Sequence, residues 1–184
     1  MVDVLLSTYN GELYLRELID SILCQSYDQW HLWVRDDKSC DNTRAIIEEY
    51  VALHPNRISF LQDDYNNVGC LRSFELLLKQ ATAPYIMFAD QDDVWLPGKI
   101  KHALHVMHDA ELAADKDTPL IVYSDLSVVD EQLQPIHTSF WEMAKIRPML
   151  LASPQKMASN NFVTGCTMLF NQACKQVSLP FGPN

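Results

Sequence analysis

The sequence predicts an α/β fold: a mostly parallel central sheet with helices on both faces. Three observations predict it. Short apolar, β-prone runs alternate with amphipathic helical stretches from the N-terminus to about Tyr123, the order that lays crossover helices over parallel strands. Tyr85-Ile86-Met87-Phe88 is apolar without a break, as in a central strand buried on both faces. Three polar clusters, Thr8-Tyr9-Asn10, Asp36-Asp37 and Asp90 to Asp93, each directly follow such a run. In open α/β sheets, ligands bind beyond the carboxyl ends of the strands.

Val2 to Ser7 reads as the first strand, ended by the turn chemistry of Thr8-Tyr9-Asn10-Gly11. Leu15, Leu18, Ile19, Ile22 and Leu23 form the stripe of an amphipathic helix. Trp30 to Arg35 is a second strand. Asp36 to Asn42 is a polar loop in which Asp41 or Asn42 caps the helix carrying Ile46, Ile47, Tyr50 and Val51. Arg57 to Leu61 is a third strand, and Gly69 opens a helix with Phe74, Leu77 and Leu78 on one side. Pro97 is expected in the first turn of the helix after the acidic cluster, which runs to about Ala114. Leu120 to Tyr123 is another strand. Ser127 to Gln155 is irregular, with Pro135, Pro148 and Pro154, the aromatics Phe140 and Trp141, and short helical stretches. Cys166 to Phe170 reads as a last strand. No repeat or linker interrupts the pattern, so residues 1–184 are read as one domain.

The bulk numbers exclude several classes. No apolar stretch approaches the roughly 18 residues of a membrane span, and Asp3 interrupts the N-terminal run too early for a signal peptide. A cytoplasmic protein is the expectation. The net charge of −10 argues against nucleic acid. With 14 Lys and Arg in all, a bound diphosphate is better neutralised by a divalent metal than by a basic cluster. Cys24, Cys40, Cys70, Cys166 and Cys174 are odd in number and form no CxxC pair. They are expected to be free, mostly buried thiols.

Asp90-Gln91-Asp92-Asp93 puts three carboxylates directly after a buried strand, which is costly unless something positive sits among them. Hard oxygen ligands suit Mg²⁺ or Mn²⁺ shared with substrate phosphates; the bland reading is a solvated loop leading into the next helix. At Asp36-Asp37, one carboxylate can accept the N3–H of a pyrimidine, or both can simply start a turn. Tyr9 can stack on a base, while Asn10 also suits a plain turn. In Asn160-Asn161-Phe162-Val163-Thr164-Gly165, Gly165 allows close backbone approach to a ligand or merely a turn. His102, His105 and His108, spaced by three on a helix, read as surface.

In order, Val4 to Glu12, Ser21 to Tyr27, Val34 to Thr43, Asn67-Val68-Gly69 and Phe88-Ala89-Asp90-Gln91-Asp92-Asp93-Val94-Trp95-Leu96-Pro97 resemble the family 2 inverting glycosyltransferases of GT-A fold. The acidic motif, together with Val163 to Asn171, is most similar to bacterial rhamnosyltransferases of surface-polysaccharide synthesis. The resemblance implies that residues 1–125 bind a nucleotide-sugar donor and that 126–184 begin the acceptor side. Thr8, Tyr9, Asn10, Glu12, Asp37, Asp90 and Asp93 would form the nucleotide-sugar site, and Asp92 with Asp90 would hold Mg²⁺ or Mn²⁺. The donor would be a dTDP- or UDP-sugar. The acceptor would be a glycan or lipid-linked glycan, with peripheral association at the inner face of the cell membrane. The chain departs from the family at Lys38, where Gly is usual, and at Ser73, where Asn is frequent. The family's basic carboxylate lies downstream of Val163 to Asn171, so it is expected beyond Asn184. Two other readings compete: a non-catalytic nucleotide-sugar-binding module, and a haloacid-dehalogenase-type phosphatase with Asp90 as nucleophile and Asp92 as acid/base.

Overall fold

The computed structural model describes residues 1–147 and 163–182. Strand β1 (Val2–Thr8) is buried along almost its whole length. It lies inside a six-stranded sheet of order β3-β2-β1-β4-β8-β5. Its partners β2 (Trp30–Asp36) and β4 (Tyr85–Asp90) both run parallel to it, and β3 (Ile58–Phe60) runs parallel to β2. Strand β8 (Met168–Asn171) is antiparallel to both β4 and β5 (Ile121–Tyr123). The expected parallel sheet thus holds for the first four strands, and its far edge is antiparallel.

Side chains alternate across a strand, and β1 shows where each face goes. Val2, Val4 and Leu6 pack with Leu15, Leu18, Ile19 and Ile22 of α1 (Leu15–Leu23), with Ile46 and Ile47 of α2 (Thr43–Leu53), and with Ile100, Leu104 and Met107 of α4 (Lys99–Ala113). Leu5 points the other way, against Phe74, Leu77 and Leu78 of α3 (Cys70–Gln80) and Cys174 of α6 (Gln172–Ser178). Helices cover both faces, and β4 accordingly carries an unbroken apolar run from Tyr85 to Ala89. Asp3 is tolerated inside because its Oδ2 accepts the amides of Thr82 and Ala83 at 2.7 and 2.8 Å. Past Asp125 the chain forms a hairpin of β6 (Val128–Val129) and β7 (Pro135–His137), then α5 (Phe140–Met143).

Four expectations change. Pro97 precedes α4 rather than entering it, with Gly98 at the N-cap and Pro97 in the turn before. The segment read as one strand from Cys166 begins as a 3₁₀ turn, Gly165–Thr167, and only then becomes β8. Asn42 occupies the N-cap of α2, but its side chain makes no capping bond; Asp41 Oδ1 accepts the Thr43 amide instead, at 2.9 Å. All five thiols are free, but Cys24, Cys40 and Cys70 are exposed and only Cys166 and Cys174 are buried. Pro148, Pro154, Gln155 and Asn160-Asn161-Phe162 lie outside the described residues. Among the described residues, no helix is long and apolar enough to cross a membrane.

Candidate functional site

The chain winds from β1 outward to β2 and β3, then returns to β4 on the other side of β1. The order reverses between β1 and β4, and at such a switch point two adjacent strand-to-helix loops splay apart and leave a crevice. The loops there are Tyr9 to Glu12 and Gln91 to Gly98, brought level by the register that pairs Ser7 with Asp90. They are tied by Gln91, whose Oε1 accepts the Tyr9 amide at 2.9 Å while its Nε2 donates to the Tyr9 carbonyl at 3.1 Å. Gly11 makes room for this clasp: a Cβ there would lie 2.5 Å from Gln91 Oε1.

The β1 loop is also stitched to the β2 loop. Asn10, at φ 50°, occupies the left-handed region. Its Oδ1 accepts the Cys40 amide at 2.8 Å and its own amide donates to Ser39 Oγ at 2.9 Å. Glu12 Oε2 accepts the Asn42 amide and Nδ2 at 2.9 and 2.8 Å. Thr8 is buried, and its hydroxyl donates to Asp36 Oδ1 at 3.2 Å. The side chains of Thr8, Asn10 and Glu12 therefore brace the β1 loop against the β2 loop, while Tyr9 is 48% exposed.

Asp37 is 3% exposed and lies against Arg35, which is 1% exposed. Arg35 Nη1 donates to Asp37 Oδ1 at 2.6 Å and to Ser73 Oγ at 2.7 Å. Its Nε and Nη2 fork onto Asp63 at 2.7 and 3.2 Å. The amides of Val68 and Gly69 also donate to Asp37. Burial works to raise the Asp37 carboxyl, but the Arg35 guanidinium and the two amides hold it below its ordinary value. Sequence reasoning missed Arg35. The available signal was a charged side chain one residue after the inward-facing Val34, ahead of two carboxylates.

Asp90 is half-buried at the end of β4, and Asp92 is exposed. The sequence paired Asp90 with Asp92 as metal ligands; among the described residues Asp90 also lies with Asp93 and Cys166, their ligand atoms all within 4.8 Å of one another. Burial, then the charges of Asp93 and Asp92, raise the Asp90 carboxyl. Burial and Asp93 push the Cys166 thiol up to about 12, so it stays protonated. Burial lowers Lys99, whose Nζ lies 4.6 Å over the Trp95 ring. The carboxylate oxygens of Asp90 and Asp93, beside a thiol that remains neutral, offer hard donors and fit Mg²⁺ or Mn²⁺ better than a soft metal. A hollow of about 320 Å³ opens one strand away, at the ends of β2 and β3, lined by Asp36, Lys38, Arg44, Phe60, Asp63 and Asp64; it shares Asp36 with Thr8 and Asp63 with Arg35.

The sequence model of the Glycosyl transferase family 2 matches residues 3–176. The chain belongs to this family. The dTDP-rhamnosyl transferase RfbG of Shigella flexneri is 36% identical over 102 residues, which are 54% of this chain and 35% of RfbG. The crystal structure of S. aureus TarS 1-349 in complex with UDP-GlcNAc superimposes with a TM-score of 0.53 at 28% identity, covering 59% of this chain and 31% of that one. The mannosyltransferase PcManGT of Pyrobaculum calidifontis, in complex with GDP-Man and Mn²⁺, gives a TM-score of 0.64 over 92% of this chain and 44% of its own; at 18% identity it speaks to the fold alone. The fold of this family 2 chain is GT-A, and the chain spans less than half the length of these three proteins. Family membership tells against the phosphatase reading, in which the acidic motif would start a different domain.

Proposed function

We propose that this chain carries the donor side of a glycosyltransferase that moves a sugar from a dTDP- or UDP-sugar to an acceptor hydroxyl with inversion, in bacterial polysaccharide synthesis. The observation that carries the reading is the crevice at the β1/β4 switch point, with an exposed aromatic on one wall and Asp90, Asp92 and Asp93 on the other. Tyr9 stacks on the base, Asp37 accepts an N–H from the base edge, and Thr8, Asn10 and Glu12 hold the loop that presents Tyr9. Asp90 and Asp93 face the ribose and donor sugar, and Asp92 with Asp90 holds Mg²⁺ or Mn²⁺. Such an ion, when bound, stabilises the charge that develops on a leaving diphosphate. The names of RfbG and TarS's bound UDP-GlcNAc support the choice of nucleotides.

The acceptor is a glycan or lipid-linked glycan, approached from the side of residues 126–184, with the protein in the cytoplasm at the inner membrane face. We assign no basic carboxylate among residues 1–184. Calorimetric titration of UDP and dTDP, with and without Mn²⁺, tests the donor site. Metal-dependent binding that Asp92→Asn abolishes is the expected result. A folded chain that binds neither nucleotide would sink the reading. Binding with no transfer in any acceptor assay would favour the non-catalytic module.

A further inference from the structure

We infer that the hollow at the ends of β2 and β3 is a carbohydrate subsite outside the crevice, which holds one sugar residue of a glycan through Lys38, Arg44, Gln62 and Asp64. The inference does not depend on the donor-site reading. The hollow opens away from the β1/β4 crevice and on the α2 face of the sheet. Phe60 stands beside Val34 where β3 pairs with β2, and both pack into the core under α1 and α2. Arg35, the next residue, turns the other way to Ser73 of α3. Side chains alternate along a strand, so Asp36 shares the face of Val34, and there it takes the Thr8 hydroxyl. Asp37, by contrast, receives Arg35 and the amides of Val68 and Gly69, ahead of α3.

Size and lining decide the ligand class. At about 320 Å³ the hollow is near the bottom of the range of small-molecule sites. It has room for a sugar residue rather than a whole nucleotide sugar. The carboxylates of Asp36, Asp63 and Asp64 repel a phosphate, and Lys38 and Arg44 repel a metal ion. An apolar ligand would strand these charges without water. Asp36 is already committed to Thr8 and Ser39, and Asp63 to Arg35 and the Tyr65 amide. Among the described residues, the side chains of Lys38, Gln62 and Asp64 make no hydrogen bond. Arg44 gives only its Nε to Glu48, at 2.9 Å, and keeps its two terminal nitrogens. Its guanidinium carbon lies 5.5 Å over the Phe60 ring. Unused donors and acceptors thus ring a small apolar patch of Phe60 and Leu61. A hydroxyl both donates and accepts, so a sugar satisfies this mixed set: its hydroxyls donate to Asp64 and Gln62 Oε1 and accept from Lys38 and Arg44, while a C–H face rests on the patch. Lys38, at the position where the family usually has glycine, gives the hollow a cation that glycine would not.

The test is amide-resolved NMR of the isotope-labelled chain, titrated in turn with N-acetylglucosamine, methyl α-rhamnoside and methyl β-glucoside, with uridine as control. Each titration is run without and then with UDP and Mn²⁺. At least one sugar should bind with a Kd of about the millimolar range, the scale of a few exposed hydrogen bonds. Shifts should gather at Lys38, at residues 60–64 and at the Gln62 side-chain amide, and should be the same with UDP present. Arg44 and Asp64 are exposed, so Arg44→Ala and Asp64→Asn should leave the fold intact. Each should weaken the sugar at least about threefold and leave UDP affinity unchanged. Sugar binding here in a chain that fails to bind UDP would support this inference while sinking the donor-site reading. The inference is overturned if none of the three sugars shifts these amides, or if both variants bind the sugar as well as the wild type. It is equally overturned if UDP displaces the sugar from amides around Tyr9 and Asp90, or if uridine binds the hollow as tightly as the sugar.

Discussion

Gly11→Ala isolates the clasp that joins the two walls of the crevice. Gly11 does not have a positive φ, so an alanine meets no backbone penalty there. The added methyl would instead lie 2.5 Å from Gln91 Oε1 and 2.7 Å from its Cδ. Gln91 must swing away and lose both bonds to the Tyr9 backbone, at 2.9 and 3.1 Å. Neutral hydrogen bonds contribute about 0.5–1.5 kcal/mol each. Both are exposed, so the pair comes to about 1 kcal/mol, which lowers Tm by about 2–4 °C in a chain of this size. Diphosphate binding should fall further, because the loops carrying Tyr9 and Gln91 to Gly98 are then no longer tied together. Thermal unfolding and UDP/Mn²⁺ calorimetry read the two effects. The decisive arm is the double-mutant cycle: in Gln91→Ala the space is open and the clasp already gone, so Gly11→Ala should add less than about 0.5 kcal/mol. Equal cost in both backgrounds would refute the clasp.

Two further predictions concern charge and backbone. Asp90 is raised by burial and by its acidic neighbours, so between the ordinary carboxylate value and its raised one the folded state holds the proton more tightly than the unfolded state. Stability from this group is full at low pH and declines as pH climbs through that window. Asp90→Asn should therefore melt higher than the wild type at neutral pH, by a margin that shrinks in acid, and should lose any Mn²⁺-induced rise; a margin independent of pH would contradict the assignment. Lys38, the departure from the family's usual glycine, has φ 66°. The left-handed region costs a non-glycine residue about 1–2 kcal/mol, and a glycine's unfolded-state freedom offsets about 0.4–1 of it. Lys38→Gly should raise the urea midpoint modestly with an unchanged m-value, whereas a lower midpoint would mean the charge of Lys38 near Asp63 outweighs the strain.

The sequence by itself determined the elements up to Tyr123, because their signals are local; the β6/β7 hairpin in the segment read as irregular was not legible. The period of the apolar residues distinguishes α1 and α3 from β1 and β4, and turn chemistry marks where each strand stops. The three polar clusters therefore had to fall at strand ends, and the family motifs were legible because they are contiguous. What only the tertiary structure decided lies in contacts between distant residues. Gln91 clasps Tyr9 across 82 positions, and Arg35 reaches Ser73 across 38. Cys166 joins Asp90 and Asp93 because β8 pairs antiparallel with β4. No local pattern encodes such pairs. They follow from how the sheet orders its strands and how both faces are covered, and that packing assigns Asn10 and Glu12 to bracing the loops while leaving Tyr9 and Asp92 exposed.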